Sequence, residues 1–188
     1  MTSLDSLPEQ LCLACGLCCN GVLFKDVELQ PGDDVKRLGS LGLPIRIARK
    51  VKRTSPSKPE RHDSKFAQPC AALCDGNRCR IYAERPARCR QFECALFKSV
   101  AAGETELVAA LRTVRATLRR ADRVRQLLRI LGDFDEHLPL SLRFNRTRRR
   151  LETGGVDDAS TDAFAELTLA VHALNVVLSE RFYPGNPA

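Results

Sequence analysis

The chain has no tryptophan, two tyrosines, one methionine and three histidines among 188 residues. So few aromatics leave little on which nucleic-acid bases can stack, which weighs against single-strand recognition as the main role. The histidines, His62, His137 and His172, all lie outside the cysteine-bearing segments, so imidazole ligation is not expected. Phosphate-binding and hydrolytic signatures are missing: there is no G-x-x-x-x-G-K-[ST], G-x-G-x-x-G, G-x-S-x-G or H-E-x-x-H. The C-x3-C-x2-C spacing of radical enzymes that use S-adenosylmethionine is absent too. No uninterrupted apolar run is long enough to cross a bilayer. The first residues, Met1 to Asp5, carry neither the basic nor the apolar region of a secretory signal, so the expectation is a soluble cytoplasmic protein without membrane contact. Cysteine itself is absent after Cys94.

What remains is a chain with its nine cysteines packed into its first half. Cys12, Cys15, Cys18 and Cys19 form one block, and Cys70, Cys74, Cys79, Cys89 and Cys94 a second. In a reducing compartment such thiols read as metal ligands or catalysts before they read as disulfides. An odd number is also more than a closed set of disulfides uses. The C-x2-C-x2-C spacing lets one tight loop aim three sulfurs inward, with Gly16 where the backbone passes closest. Bacterial ferredoxins begin the same way and take a further cysteine from elsewhere in the chain. Zinc fits equally, since a C-x2-C pair and two distant thiolates make a tetrahedral site. Cys18 and Cys19 are neighbours whose side chains point different ways, so one is a spare or the pair feeds two centres.

Charge is unevenly spread, with a net +7. Arginines and lysines cluster at residues 46–65, along 112–129 and at 143–150. Such blocks are suited to phosphates, or they are solvated faces.

The apolar pattern divides the chain. Val22–Leu29 has short-strand character, and Pro31–Asp34 reads as a turn into a short helix with Val35, Leu38 and Leu41. Residues 46–68 read as a basic loop, and Pro86 starts a short helix running through Cys89 and Cys94. Leu107, Leu111, Val114, Leu118, Ala121, Val124, Leu128 and Leu131 alternate in threes and fours, which predicts an amphipathic helix over 104–131 closed by Gly132. Phe164, Leu167, Val171, Leu174, Leu178 and Phe182 predict another over 160–182, ended by Pro184–Gly185. Residues 133–158 read as a connection with little order. The expected fold is mainly α: a loop-rich, metal-stabilised cysteine knot in residues 1–98, and an antiparallel helix pair in 99–188.

The runs CLACGLCC and PCAALCDGNRCRIYAERPARCRQFEC resemble the bacterial CxxCxxCC cysteine-cluster family, the YkgJ-type proteins described as zinc- or iron-chelating. The resemblance spans roughly residues 10–97. It implies that Cys12, Cys15, Cys18, Cys19, Cys70, Cys79, Cys89 and Cys94 are the metal ligands, with Cys74 an addition of this chain. Ile81, Tyr82, Arg85, Pro86, Arg90 and Phe92 also fall on the family pattern. Arg85 and Arg90 suit either donation to sulfur or capping of a turn. The aromatics suit packing around the knot. The expectation is a protein holding an iron–sulfur cluster or zinc in a structural, redox or metal-handling role. An enzyme using the cluster for redox or group transfer is the alternative, because flagellin lysine N-methylases carry a similar cluster. A zinc-stabilised adaptor that binds nucleic acid or a protein partner is the third.

Overall fold

The computed structural model describes residues 6–47, 64–154 and 158–183. His62, most of the basic stretch at 46–65 and Pro184–Gly185 lie outside these. The described residues are mainly helical.

The N-terminal segment starts with helix α1 (Leu7–Cys15). Pro8 lies in its first turn, and the Glu9 carboxylate accepts the Ser6 N–H at 2.9 Å. The first cysteine block is therefore not one loop. Cys12 and Cys15 sit on the last turn of a helix, and only Cys18 and Cys19 lie in the turn that follows. The chain reaches α1 length here because Leu7, Leu11 and Ala14 are good helix formers and Gly16 stops it in the left-handed region at φ 64°.

Strand β1 (Asp26–Glu28) leads to helix α2 (Val35–Ser40), which Asp34 caps by accepting the Arg37 N–H at 2.9 Å. Strands β2 (Arg46–Ile47) and β3 (Ser64–Ala67) complete a three-stranded antiparallel sheet of order β1-β3-β2, in which Val27 pairs with Phe66. The ends of the expected 46–68 loop are thus strands. Tertiary pairing, of β3 with β1 and of β2 with β3, draws them into extended form, a signal that local composition does not carry.

Short turns Asp75–Asn77 and Tyr82–Glu84 precede helices α3 (Ala87–Gln91) and α4 (Ala95–Ala101). The helix expected to run through Cys89 and Cys94 breaks between them, with Phe92 extended. Asp33 accepts the Ala87 N–H at 2.8 Å, and the Arg37–Glu84 ion pair at 2.6 Å ties α2 to the same region.

Helices α5 (Leu107–Ile130) and α7 (Asp158–Arg181) agree with the two apolar stripes to within a few residues. Between them stands α6 (Leu140–Thr153), in the segment expected to lack order. Its apolar positions are few, and what holds it is charge. Arg143 is 1% exposed and donates to Asp133 Oδ1 at 2.9 Å and to the Asp133 carbonyl at 2.8 Å. Arg146 reaches Asp133 Oδ2 at 2.7 Å, and Arg150 donates to the Leu131 carbonyl. A basic cluster that suits phosphate in the sequence is in large part an internal anchor.

One large apolar cluster joins Leu11, Leu17 and Leu23 to Leu96 and Val100 of α4, to α5, and to Leu140, Leu167, Leu174, Leu178 and Phe182. A smaller one lies under the sheet: Val27, Leu29, Leu38, Leu43, Phe66, Ala72 and Ile81. By length and composition α7 is apolar enough to cross a bilayer, with a mean hydropathy of 1.3 over its most apolar 18 residues. Here Leu167, Leu174 and Leu178 face the core and Glu166 pairs with Arg123 of α5, while Leu169 and Val176 face outward.

Candidate metal centre

The end of α1 and the second cysteine group meet because Gly16 allows it. A Cβ at Gly16 would lie 2.7 Å from the Asn77 Cβ, closer than such atoms pack. Asn77 itself sits at φ 63° in its turn. Gly16→Ala should cost more than about 1 kcal/mol in urea unfolding, from its left-handed backbone alone, and lower metal content by prising the two groups apart. After Gln68–Pro69, a cis bond, the Cys70 N–H donates to the Cys19 carbonyl at 2.7 Å. A β-bridge between Leu73 and Cys79 closes the loop that holds Cys70 and Cys79. Cys94 is the N-cap of α4, and its sulfur accepts the Phe97 N–H at 3.3 Å.

These contacts place Cys12, Cys15, Cys18, Cys19, Cys70, Cys79, Cys89 and Cys94 around one cavity of about 320 Å³. All eight are half-buried free thiols. Cys74 is exposed, off the cavity wall, with its sulfur turned to the Ala72 carbonyl. The two cysteine groups, with 50 residues between Cys19 and Cys70, thus come together in space. Among the described residues no three cysteine, histidine, aspartate or glutamate side chains form a ready-made coordination group. Ligation therefore requires the thiols to close in from the wall.

Burial dominates the electrostatics. It pushes the Cys15 and Cys89 thiols up to about 12, and Cys18 and Cys19 well above the ordinary thiol range, with neighbouring sulfurs adding to the rise. Without a cation the protein thus favours neutral thiols. A metal that converts them to thiolates has to release their protons. Burial also raises Cys12, but Arg85 opposes it by charge and by a hydrogen bond. The same Arg85 donates to the Tyr82 carbonyl at 2.9 Å and covers the Tyr82 ring at 3.5 Å. It combines the two roles the sequence leaves open, bracing a turn and facing a sulfur. Arg90 braces the same turn, donating to the Arg85 carbonyl at 2.6 Å. Phe92 packs edge-on against Phe24 at 4.8 Å, and Ile81 is buried in the smaller cluster.

The donor set fits a soft, thiolate-bound metal. One further observation agrees: Gln68 is 1% exposed on the cavity wall, and its Oε1 is buried without a hydrogen-bond partner. A buried polar atom left so is costly, and a group held in the cavity would give Gln68 a partner. Sequence reasoning passes over Gln68, although its position just ahead of Pro69–Cys70 is a usable signal. His137 and His172 are exposed and stand outside the cavity.

The model of the CxxCxxCC family, described as "Putative zinc- or iron-chelating domain", matches residues 11–110. The chain belongs to the CxxCxxCC family. No curated protein and no solved structure matches it. The CxxCxxCC match starts at Leu11, one residue before the first ligand candidate, and ends within α5. It therefore takes in the cavity's cysteines together with the start of the helix that backs them.

Proposed function

We propose that this CxxCxxCC protein is a cytoplasmic metal-binding protein whose thiolates hold zinc or an iron–sulfur cluster, in a structural, redox or metal-handling role. One observation carries the reading: the eight cysteines on the family pattern line one cavity, and the ninth, Cys74, does not. Cys12, Cys15, Cys18, Cys19, Cys70, Cys79, Cys89 and Cys94 are the proposed ligands. When bound, zinc supplies a closed structural centre, and an iron–sulfur cluster supplies a one-electron couple.

Residues 1–98 form the metal-binding part of this proposal, and 99–188 its helical backing. An antiparallel α5–α7 pair is supported at both ends. Arg123 meets Glu166 at one, and Val114 and Phe182 share the cavity wall at the other. The C-terminal end of α7 is fastened to the cysteine segment, since Ala95 N–H donates to the Phe182 carbonyl at 3.2 Å and Tyr183 Oη–H to the Leu23 carbonyl at 3.3 Å. The adaptor reading is weakened by the arginines engaged internally, although Arg112, Arg115, Arg119 and Arg120 remain exposed.

The test is anaerobic purification followed by metal and acid-labile sulfide analysis. Serine at Cys12, Cys15 or Cys18 should cut metal content sharply, and serine at Cys74 should leave it unchanged. Equal loss from all four variants would remove Cys74 from its place as a spare, and metal-free wild-type protein would refute the reading.

A further inference from the structure

Eight thiols on one cavity wall do not stand in one ring. Two features divide them: packing places six, and the backbone adds Cys12 to one wall and Cys19 to the other.

The first is packing. Cys15, Cys18 and Cys94 lie against the larger apolar cluster, and Cys70, Cys79 and Cys89 against the smaller one under the sheet. No cysteine is shared between the two.

The second is the backbone. Cys12 and Cys15 are three residues apart on the last turn of α1, so they share a face, and α1 packs on α4, whose N-cap is Cys94. Across the cavity, the Cys19 carbonyl holds the Cys70 N–H, and the Leu73–Cys79 bridge brings Cys79 back beside Cys70.

Resting on the metal reading above, we infer that the cavity holds two four-thiolate centres, one from Cys12, Cys15, Cys18 and Cys94 and the other from Cys19, Cys70, Cys79 and Cys89. The doubled cysteine then has a purpose. Cys18 and Cys19 lie within a turn in which both the Cys19 and the Asn20 N–H groups return to the Gly16 carbonyl at 2.9 Å. Adjacent side chains on such a turn diverge, so the pair sends one sulfur to each wall. Two thiolate-rich centres side by side also give the Arg85 cation on the same cavity wall a purpose.

The experiment is a titration of reduced, metal-free full-length protein with Co(II), which stands in for zinc and reports thiolate ligation through its charge-transfer absorbance. Wild type should take up about two equivalents per chain with tetrahedral thiolate spectra. Cys94→Ser and Cys89→Ser should each halve the uptake. The pair Cys15→Ser with Cys94→Ser, drawn from one set, should still take up half, whereas Cys94→Ser with Cys89→Ser should take up none. Protein purified with an iron–sulfur cluster should show the same halving in iron and sulfide. A wild type that binds about one equivalent overturns the two-centre assignment while leaving the metal reading intact, and this holds even if a serine variant fails to fold. Complete loss from each single variant, with wild type above one equivalent, overturns the partition. Failure of wild type to bind Co(II), zinc or iron overturns the metal reading itself.

Discussion

Removing the metal from reduced protein with a chelator should unfold the cysteine segment and spare the long helices. A four-thiolate zinc site contributes about 10 kcal/mol or more to folding, comparable to the whole stability of a typical domain of about 5–15 kcal/mol. Beyond Leu11, Leu17, Leu23 and Leu96, which share the larger cluster, the segment has little else to hold it. Its own apolar cluster under the sheet is small, and β1 and β2 are three and two residues long. Helices α5 and α7 bury Val114, Ala121, Val124, Leu127, Leu128, Leu167, Leu174 and Leu178 among themselves and their neighbours. Amide exchange should therefore lose protection at β1, β3, α1 and α3 in the metal-free protein, while the centres of α5 and α7 stay protected. Because Leu11 and Leu17 share the larger cluster, the α5 positions they cover should exchange faster than the rest. Unchanged exchange throughout would show that the cysteine cavity is not structural.

Asp133→Ala should destabilise the helical half by about 3–5 kcal/mol in urea unfolding, the usual cost of leaving a buried charge without its partner. The stranded group is Arg143, whose side chain is 1% exposed and 2.9 Å from Asp133. Arg143→Met should cost less, because it removes the cation whose desolvation the carboxylate offsets. The pair also gives the protein an acid limit. Burial pushes the Asp133 carboxyl up, but hydrogen bonds from Arg146 and Arg143 outweigh it and hold it below its ordinary value. A carboxyl lowered in the folded state adds stability at pH above its unfolded value, about 3.9, and loses that stability as pH falls through the folded value. Stability should therefore drop below about pH 4 in wild type, and less steeply in Asp133→Ala. Parallel acid titrations by circular dichroism would check this, and equal slopes would rule out Asp133 as the source.

Local sequence signals differed in how far they reached. The stripe from Leu107 to Leu131 located α5 because a period of three and four residues survives into the buried face, which is Ala110, Val114, Thr117, Ala121, Val124 and Leu127–Leu128. Helix α6 left no such mark. Its buried residues are Leu140, Arg143 and Thr147, and two of the three are polar, so a reading by hydropathy saw a connection. Its stability comes from Asp133, seven residues ahead of its start, and only the folded chain brings that carboxylate under Arg143 and Arg146. The sheet was hidden for a similar reason, since a two-residue strand such as Arg46–Ile47 has no pattern of its own and extends because β3 is beside it.

The sequence by itself determined the membership and the kind of donor on offer. Thiols at two-residue spacing, with an adjacent pair and a distant Pro-Cys, mark the CxxCxxCC family over residues 11–110, and thiolate donors suit a soft metal. It also determined the two long helices, whose apolar period is a local property. Only the tertiary structure decided that both cysteine blocks face one cavity, that Cys74 turns away from it and that the basic cluster at 143–150 is largely spent on Asp133. Those outcomes depend on which surfaces meet. Gly16 against Asn77, Cys19 against Cys70 and α1 against α4 are contacts between residues tens of positions apart, and no local pattern of residues encodes them.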